Sequence, residues 1–419
     1  MTDSWIKTEL GDKKYFVILG SGIQLFENEK DYLSTSSVVD DKIDHVEQRI
    51  TFIKRPSRAN MQPIKNSVWF AKMKETLKVL LIDEKIIKNN ILSTGFCGIK
   101  CIDVSPELLK QFFMNKKFNS KKDLLSEGST QKAINNTKTA TIEISFPKSF
   151  QEQQKIADIL TKLDETIEFT EKIIAKDERI KKGLMQDLFS KGIDENGNLR
   201  SEETHEFNNS GFREVNIPQE WFLGTMKKIC NLKQGLQIAI SKRKKAEGEN
   251  CLIYITVQYL NNPTKNIEYI ENPPESVICD ENDILFVRTG NTGQIITDIN
   301  GVFHNNFFKI IYNENKILKK YLVYFLKQIE IQNLIQDLAG TTTIPDLNHG
   351  DFYSIPMYCS KDLKEQQQIA LILSSIDSKI QKEKQELNKL KSIKEGLMQD
   401  LLTGNKQKEV TCMIKEAVV

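Results

Sequence analysis

One loop in the second half of the chain carries side chains that suit the reading of nucleic-acid bases. The segment DILFVRTGNTGQI (283–295) predicts a strand that leads into a loop of Arg, Thr, Gly, Asn and Gln. Arginine pairs bidentately with guanine, and asparagine or glutamine pairs with adenine. The run Ser241–Lys245 contains four basic residues, which would contact phosphates or else form an ordinary solvated loop.

The first half of the chain offers a looser set of the same kind. Arg55, Arg58 and Asn60 lie in a polar stretch, and ILSTGFCGIK (91–100) predicts a strand with a glycine turn. Such loops are common in sheet proteins, so they predict DNA binding only together with a wider pattern. The candidate DNA-binding residues are polar or basic and lie in predicted loops: Arg55, Arg58, Asn60, Ser93, Thr94, Ser129, Thr130, Lys132, Lys242, Arg243, Lys244, Lys245, Arg288, Thr289, Asn291, Thr292, Gln294, Thr341, Thr342 and Thr343.

The sequence signatures of catalysis and of metal binding are absent or incomplete. There is no GxxxxGK[ST] loop for a nucleotide, and the four histidines are scattered. Cys97 and Cys101 make at best half of a zinc site. VILGSG (17–22) lacks a third glycine, and in Asn272–Glu275 a glutamate stands where adenine methyltransferases carry a stacking ring. We therefore predict no catalytic residue, no metal ligand and no cofactor bound by this chain.

Length and composition set the outer limits. A chain of 419 residues predicts two or three folding units. With 59 Lys and Arg against 57 Asp and Glu, it is not a generally cationic, histone-like protein. Seven cysteines without a CxxC pair favour a reducing compartment. Because neither an export signal nor an apolar run of about 18 residues is visible, we expect a cytoplasmic protein.

The clearest pattern is an internal repeat. Residues 152–188 and 365–401 align without a gap at a constant offset of 213, and about half of the aligned positions are identical. Apolar residues recur mostly every three or four positions in each copy, and the other positions are largely Lys, Glu and Gln. This pattern predicts two long helices, each with one narrow apolar stripe.

A helix of this length, roughly 55 Å at 1.5 Å per residue, cannot bury its stripe alone. Two matching helices in one chain predict a coiled coil in which the stripes cover each other. The alternative is that each stripe packs on its own domain. The residues predicted to pair the helices are apolar and lie on the stripes: Ile156, Leu160, Leu163, Ile167, Leu184, Leu188, Ile369, Leu373, Ile376, Ile380, Leu397 and Leu401.

The segments between the helices predict two α+β domains. Short β-prone runs such as TATIEISF (139–146) and NCLIYITVQYL (250–260) alternate with helical stretches such as 317–338. The predicted organisation follows chain order: a domain at 1–150, a helix at 151–190, a linker at 191–211, a domain at 212–363, a helix at 364–403 and a tail at 404–419.

With this layout, the sequence resembles the specificity subunit of type I restriction-modification systems. The resemblance rests on EQQ.IA.IL and GLMQDL in each helix, LFSKGIDENGNLR (188–200) after the first helix and IPQEW (217–221) at the start of the second domain. DILFVRTGNTG and the Gly-Ser/Thr clusters at 128–130 and 340–343 also match. The resemblance covers nearly the whole chain and is loosest within the first 150 residues.

The resemblance implies a fold and a function. Two target-recognition domains would lie at the ends of an antiparallel helix pair, and each would read one half of a split sequence in double-stranded DNA. Two methyltransferase subunits, which hold S-adenosylmethionine, would dock on the chain. Two restriction subunits would add ATP- and Mg-dependent translocation and cleavage. The chain itself would be non-catalytic.

Two other classes of function stay open from the residues alone. A coiled-coil scaffold would bind two proteins and have no role on DNA. The other class is an enzyme that performs methyl transfer or nuclease chemistry itself. The absence of cofactor motifs argues against this alternative.

Overall fold

The computed structural model describes residues 4–128, 132–213, 215–340 and 344–402. The chain forms two compact units, one of residues 1–172 with 384–419 and one of residues 173–383. Five candidate DNA-binding residues, Ser129, Thr130 and Thr341–Thr343, lie outside the described residues, as does the predicted tail. Within the described residues, no helix is long and apolar enough to cross a membrane.

Unit 1 contains the first mixed domain. Its strands are β1 Trp5–Glu9, β2 Phe16–Ile18, β3 Lys30–Leu33, β4 Val38–Val39, β5 Lys42–Ile43, β6 Gln48–Ile50, β7 Ala59–Met61, β8 Ser67–Ala71, β9 Val79–Leu81, β10 Asn90–Ser93, β11 Phe96–Cys101 and β12 Glu143–Pro147. Its helices are α1 Glu84–Asn89, α2 Pro106–Met114, α3 Lys116–Leu124, α4 Asn136–Ala140 and the first part of α5 Phe150–Ser190.

Unit 2 contains the second mixed domain. Its strands are β13 Phe207–Asn209, β14 Asn216–Pro218, β15 Phe222–Thr225, β16 Cys230–Gln234, β17 Cys251–Ile255, β18 Tyr269–Glu271, β19 Ile278–Cys279, β20 Ile284–Val287, β21 Ile295–Ile296, β22 Gly301–Phe303, β23 Phe307–Tyr312 and β24 Pro356–Cys359. Its helices are α6 Val257–Asn261, α7 Lys319–Leu326, α8 Ile329–Ala339, α9 His349–Ser354 and the first part of α10 Leu363–Leu401, with 3-10 turns at Met226–Lys228, Ile240–Lys242 and Glu275–Val277.

The two domains share one sheet topology. Unit 1 has the strand orders β6-β3-β10-β7 and β2-β11-β8-β9, and unit 2 has the matching orders β18-β17-β22-β19 and β16-β23-β20-β21. In both units the central pair of the first sheet is parallel and its outer pairs are antiparallel. A two-stranded ribbon, β1-β12 or β15-β24, leads into the long helix that follows. The chain is therefore duplicated in its domains as well as in its helices.

Two details of the domains differ from the sequence-based expectation. The run 250–260 is a strand only up to Ile255, because the Thr256 hydroxyl accepts a hydrogen bond from Tyr259 N and caps helix α6. The stretch 317–338 is two helices, since α7 ends at Leu326 and α8 begins at Ile329.

The long helices lie antiparallel within each unit. In unit 1, Lys391 Nζ lies 2.7 Å from Glu171 Oε1, and Lys394 forms a close ion pair with Asp164. In unit 2, Lys379 Nζ lies 2.8 Å from Asp177 Oδ2. Residues later on one helix thus pair with residues earlier on the other, which is the antiparallel arrangement that the family resemblance implies.

The apolar stripes also pack on the domains. Ile156 and Leu160 lie in the main core of unit 1, on which Leu397 and Leu401 of α10 also pack. Leu188, Ile369 and Leu373 lie in the main core of unit 2, with Leu184 packed against it. Leu163, Ile167 and Ile376 are half-buried and Ile380 is buried, nearer the middle of the helices. Packing of the stripes on the domains, the alternative that the sequence left open, therefore occurs at the helix ends, and contact between the two stripes nearer the middle stays a prediction.

The segment after α5 closes over the start of α10 in unit 2. The Glu365 carboxylate, 6% exposed, accepts hydrogen bonds from Ile193 N (2.8 Å) and from Arg200 Nη1 (2.5 Å) and Nη2 (3.2 Å). Gly192 allows this approach, since a Cβ there would lie 2.2 Å from Glu365 Oε1 and its φ of +64° favours glycine. Ile193 of the predicted linker joins the main core of unit 2, as do Phe212 and Ile217 at the start of the second domain.

Candidate nucleic-acid interface

Backbone hydrogen bonds gather several loops at one edge of the domain in unit 1. Gly22 N donates to Asn60 O (2.8 Å), Thr94 N to Arg58 O (2.9 Å), Lys72 N to Gly95 O (2.9 Å) and Lys74 N to Lys132 O (2.9 Å). These contacts join the segments 19–22, 58–60, 72–76, 93–95 and 132–136, which we call the first loop cluster.

The corresponding loops gather in unit 2. Leu236 N donates to Phe303 O (2.8 Å), Arg288 N to Asn306 O (2.8 Å) and Leu347 N to Arg288 O (2.9 Å). The joined segments are 235–238, 288–294, 303–306 and 345–348, the second loop cluster. Because the two domains have the same topology, the clusters lie at corresponding places in their sheets.

The clusters bring together most of the described candidate residues. The first contains Arg58, Asn60, Ser93, Thr94 and Lys132. Arg58 and Lys132 are exposed, whereas Ser93 is buried and its hydroxyl accepts from Gly95 N (3.1 Å), so it shapes the turn. Arg55 lies in the loop before β7, where its guanidinium donates to Phe52 O and stacks on the Phe52 ring at 4.6 Å.

In the second cluster, some candidates hold the loop and others face solvent. Arg288 Nη2 donates to Asp346 Oδ2 (2.6 Å), Nε donates to Leu347 O (3.2 Å), and the guanidinium lies 5.2 Å from the Phe308 ring centroid. Thr289 hydrogen-bonds to Asp346 as well.

Thr292 is buried, and its hydroxyl oxygen lies 2.9 Å from the carbonyl oxygens of both Arg288 and Pro345. Asn291 and Gln294 are exposed. The amide side chains of Asn291 and Gln294 therefore face solvent. Arg288, Thr289 and Thr292 hold the loop backbone in place.

The basic run follows the segment 235–238 of the second loop cluster, where Arg243 Nη2 donates to Ile238 O (3.2 Å), and most of its charge is matched. Arg243 Nη1 lies 2.9 Å from Glu268 Oε2, Lys245 Nζ lies 2.5 Å from Glu268 Oε1, and Lys244 Nζ lies 2.6 Å from Glu271 Oε1. Lys242 is exposed and forms no ion pair with the described residues. These acidic partners reduce the positive charge that the run offers to phosphates, and phosphate binding by the run stays a prediction.

A helix supports the central loop of each cluster. In unit 1, Lys122 on α3 is 1% exposed, and its ammonium donates to Met73 O (3.1 Å) and to Thr76 O. In unit 2, Gln332 and Gln336 on α8 donate from Nε2 to Gly293 O (3.0 Å) and Thr292 O (2.6 Å). Burial lowers the pKa of Lys122. In both units, side chains of a helix therefore satisfy loop carbonyl groups, from a buried position in unit 1 and from more exposed positions in unit 2.

Replacement of Lys122 by Met is expected to loosen the loop at 72–76 without unfolding unit 1. Two carbonyl groups would lose their charged donor, at a cost of about 1–3 kcal/mol. Hydrogen exchange measured by mass spectrometry should show faster exchange in residues 72–76. Lys121→Met, at an exposed position of the same helix, is the matched control. Equal exchange in the two variants would contradict this role.

Sequence reasoning missed one repeated motif in the clusters. Gly22-Ile23-Gln24 and Gly235-Leu236-Gln237 are separated by 213 positions, the offset of the helices. Both glutamines are exposed, and Gln237 Oε1 accepts from Asn305 Nδ2 (2.8 Å). Extension of the repeat search into the domains could have found this pair.

The described residues contain no group of three or more His, Cys, Asp and Glu side chains placed to hold a metal ion. Cys97 and Cys101 are buried, and burial raises the pKa of each thiol to about 12. Neither thiol would supply a thiolate near neutral pH.

Comparisons of the sequence and of the fold with known proteins find the same kind of relative. The family model of the type I restriction modification DNA specificity domain matches residues 24–179 and 218–392. A putative type I restriction enzyme MjaX specificity subunit of Methanocaldococcus jannaschii is 27% identical over 71% of this chain and 66% of its own length. The MjaVIII specificity subunit of the same organism is 25% identical over 63% of this chain and 62% of its own length. The matched region thus spans slightly less than two thirds of these relatives.

Two solved structures have the same fold. An S subunit of a type I restriction-modification system from M. genitalium matches with a TM-score of 0.59 and 16% identity, over 96% of this chain and 97% of that one. A chain from a study of complex assembly and conformational transition of the type I R-M system matches with a TM-score of 0.57 and 16% identity, over 96% and 98%.

Proposed function

The chain belongs to the family of type I restriction-modification DNA specificity proteins, and from this premise we propose that it reads a two-part DNA sequence as a non-catalytic subunit. The observation that carries the proposal is the pair of loop clusters. One topology presents corresponding loops twice in one chain, but with different exposed side chains. Two readers with different contacts suit a target whose halves differ in sequence.

Docking of two methyltransferase subunits, and of two restriction subunits through them, is part of the proposal. The long helices carry apolar side chains that the units do not cover: Phe169 is 64% exposed, and Leu371 is 56% exposed. Exposed apolar side chains on a helix that also builds a core suit contact with another protein. S-adenosylmethionine, ATP and Mg would be bound by those partners, and the present chain would supply the sequence preference.

The decisive experiment compares methylated adenines in the source genome with and without this chain. We expect one two-part sequence to carry methylation only when the chain is present. Unchanged methylation would contradict the role in specificity. Methyl transfer by the isolated chain with S-adenosylmethionine would contradict the non-catalytic assignment.

Replacement of Asn291 and Gln294 by Ala is expected to relax preference at one half of the target only. These exposed amides lie in the second loop cluster, and a bidentate contact to a base contributes about 1–3 kcal/mol of discrimination. The measurement is methylation of a library of randomised targets by the assembled complex. Asn208→Ala, at an exposed position on β13, is the control. An equal change at both halves would rule out two independent readers.

A further inference from the structure

One aspartate in each unit contacts both long helices and the domain. In unit 2, Asp377 on α10 lies 2.6 Å from Lys181 Nζ of α5 through Oδ1, and its Oδ2 accepts from the Tyr324 hydroxyl of α7 (2.8 Å). In unit 1, Asp164 on α5 pairs with Lys394 of α10, and its Oδ2 accepts from Gln111 Nε2 of α2 (3.1 Å). Each carboxylate thus connects three elements.

The two sets of residues are equivalent in the repeat. Asp164 and Asp377, Lys181 and Lys394, and Gln111 and Tyr324 are each separated by 213 positions. We call Gln111, Asp164 and Lys394 the first junction triad, and Tyr324, Asp377 and Lys181 the second junction triad. Gln111 and Tyr324 differ in chemistry, but each donates a hydrogen bond to the Oδ2 atom of its own aspartate. The contact is therefore present in both copies although the donor side chain differs.

A second joint lies nearer the start of each helix. The Gln153 carboxamide, 1% exposed, accepts from Ser105 N (2.8 Å) and donates to Pro147 O (2.8 Å). The fully buried Gln366 accepts from Leu318 N (2.9 Å) and donates to Ser360 O (2.8 Å) in the same way. This joint is 11 residues from the aspartate in both units, or about 16 Å along a helix.

We propose that the junction triads are positioning residues that set the angle between each domain and the helix pair, and thereby the number of base pairs accepted between the two DNA half-sites. This inference rests on the proposed function. The glutamine joint and the core contacts of Leu160 and Leu373 attach the start of each helix to its domain. The triad adds a contact of defined direction that joins the domain to both long helices.

The partial exposure of the triads to water favours a positioning role over a stabilising one. Lys181 and Asp377 are 25% and 38% exposed, and Lys394 and Asp164 are 21% and 28% exposed. Ion pairs this accessible to water contribute little to global stability. A charge-assisted hydrogen bond from Tyr324 nevertheless has a defined direction and fixes the relative placement of its two elements.

The two units differ in how many contacts hold this angle. In unit 1, the β4-β5 hairpin also reaches α5 through the ion pair of Lys42 with Glu168. Unit 2 has no counterpart of this hairpin among its described residues. Loss of the second junction triad should therefore have the larger effect.

The test uses the full chain assembled with its methyltransferase subunits. Dissociation constants are measured for duplexes that carry the target identified by methylation, with the native gap or with one base pair added or removed. Tyr324→Phe removes one hydroxyl and keeps the ring in the core. We expect it to reduce the preference for the native gap by about three- to tenfold, the net size of one ordinary hydrogen bond at a partly solvated site, with a smaller loss of affinity for the native duplex.

Matched variants separate positioning from stability. Lys379→Ala removes an ion pair between the long helices in the same unit but no contact to the domain, so the gap preference should stay unchanged. Asp377→Asn is a second variant of the triad and should act in the same direction as Tyr324→Phe. Gln111→Met should have a smaller effect, because the hairpin remains.

Two results would overturn the inference. An unchanged gap preference in both Tyr324→Phe and Asp377→Asn, or equal weakening on all three duplexes, would leave the triad without a positioning role. If the wild-type complex showed no preference for a two-part target, the proposed function would fail first, and the inference with it.

Discussion

Replacement of Leu373 by Asp is expected to unfold unit 2, whereas the same change at Leu371 should leave it folded. Leu373 is fully buried in the main core of unit 2, among residues of the sheet and of both long helices, and Leu371 is 56% exposed. Loss of a buried leucine side chain costs about 2–5 kcal/mol, and a buried carboxylate adds to this cost. A domain is typically stable by only about 5–15 kcal/mol.

Thermal unfolding combined with hydrogen exchange would check this expectation. Exchange should become fast throughout the core of unit 2 in Leu373→Asp, while Leu371→Asp should remain within about 0.5 kcal/mol of wild type. Similar unfolding temperatures for the two variants would show that Leu373 is not a core residue. Because Leu160 is equally buried in unit 1, aspartate there would also test the domain core and not helix pairing alone.

Replacement of Glu365 by Ala is expected to destabilise unit 2 by up to about 3–5 kcal/mol, because removal of this partner leaves the largely buried charge of Arg200 only partly compensated. The Arg200 side chain is 11% exposed, and it would keep only the contact of its Nε with Glu220 (3.1 Å). Ile193 N would lose its acceptor at the same time.

Chemical denaturation measures this loss. Glu195→Ala, at an exposed position of the same post-helix segment, is the control and should change stability by less than about 0.5 kcal/mol. Joint replacement of Arg200 by Met and Glu365 by Leu should recover part of the loss, because apolar groups can replace a buried pair. If Glu365→Ala were as stable as its control, the buried ion pair would make no measurable contribution to the free energy of unfolding.

The repeat made much of the fold predictable. Helices at 152–188 and 365–401 follow from apolar spacing alone, and the structure places α5 at Phe150–Ser190 and α10 at Leu363–Leu401. The predicted fold class, with two mixed domains and paired antiparallel helices, is confirmed, and so is the resemblance to specificity subunits. Local periodicity was sufficient because a long helix repeats the same signal over many turns.

The apolar periodicity of the helices could not predict that each helix contributes to both units. An apolar stripe shows which face is buried but not which partner covers it. Ile156 and Leu397 pack on the same core although 241 positions separate them. Contacts at such separations depend on the whole fold.

The roles of the loop residues were also beyond local patterns. Arg288 was predicted to contact DNA, and its guanidinium is engaged by Asp346 and Leu347, which lie 58 and 59 positions later. Lys122 gave no signal, because a lysine on a short polar helix reads as a solvated residue until its carbonyl partners are known. Contact of any of these residues with DNA stays a prediction.

The contribution of α10 to unit 1 has a consequence for biosynthesis. Met398 and Leu402 are part of the core that also contains Phe16 and Phe113. The residues of α10 that complete the core of unit 1 are therefore synthesised only after the whole of the second domain. Until then the nascent chain exposes an apolar surface around Leu160, and a transcript truncated before codon 397 would yield a protein prone to aggregation.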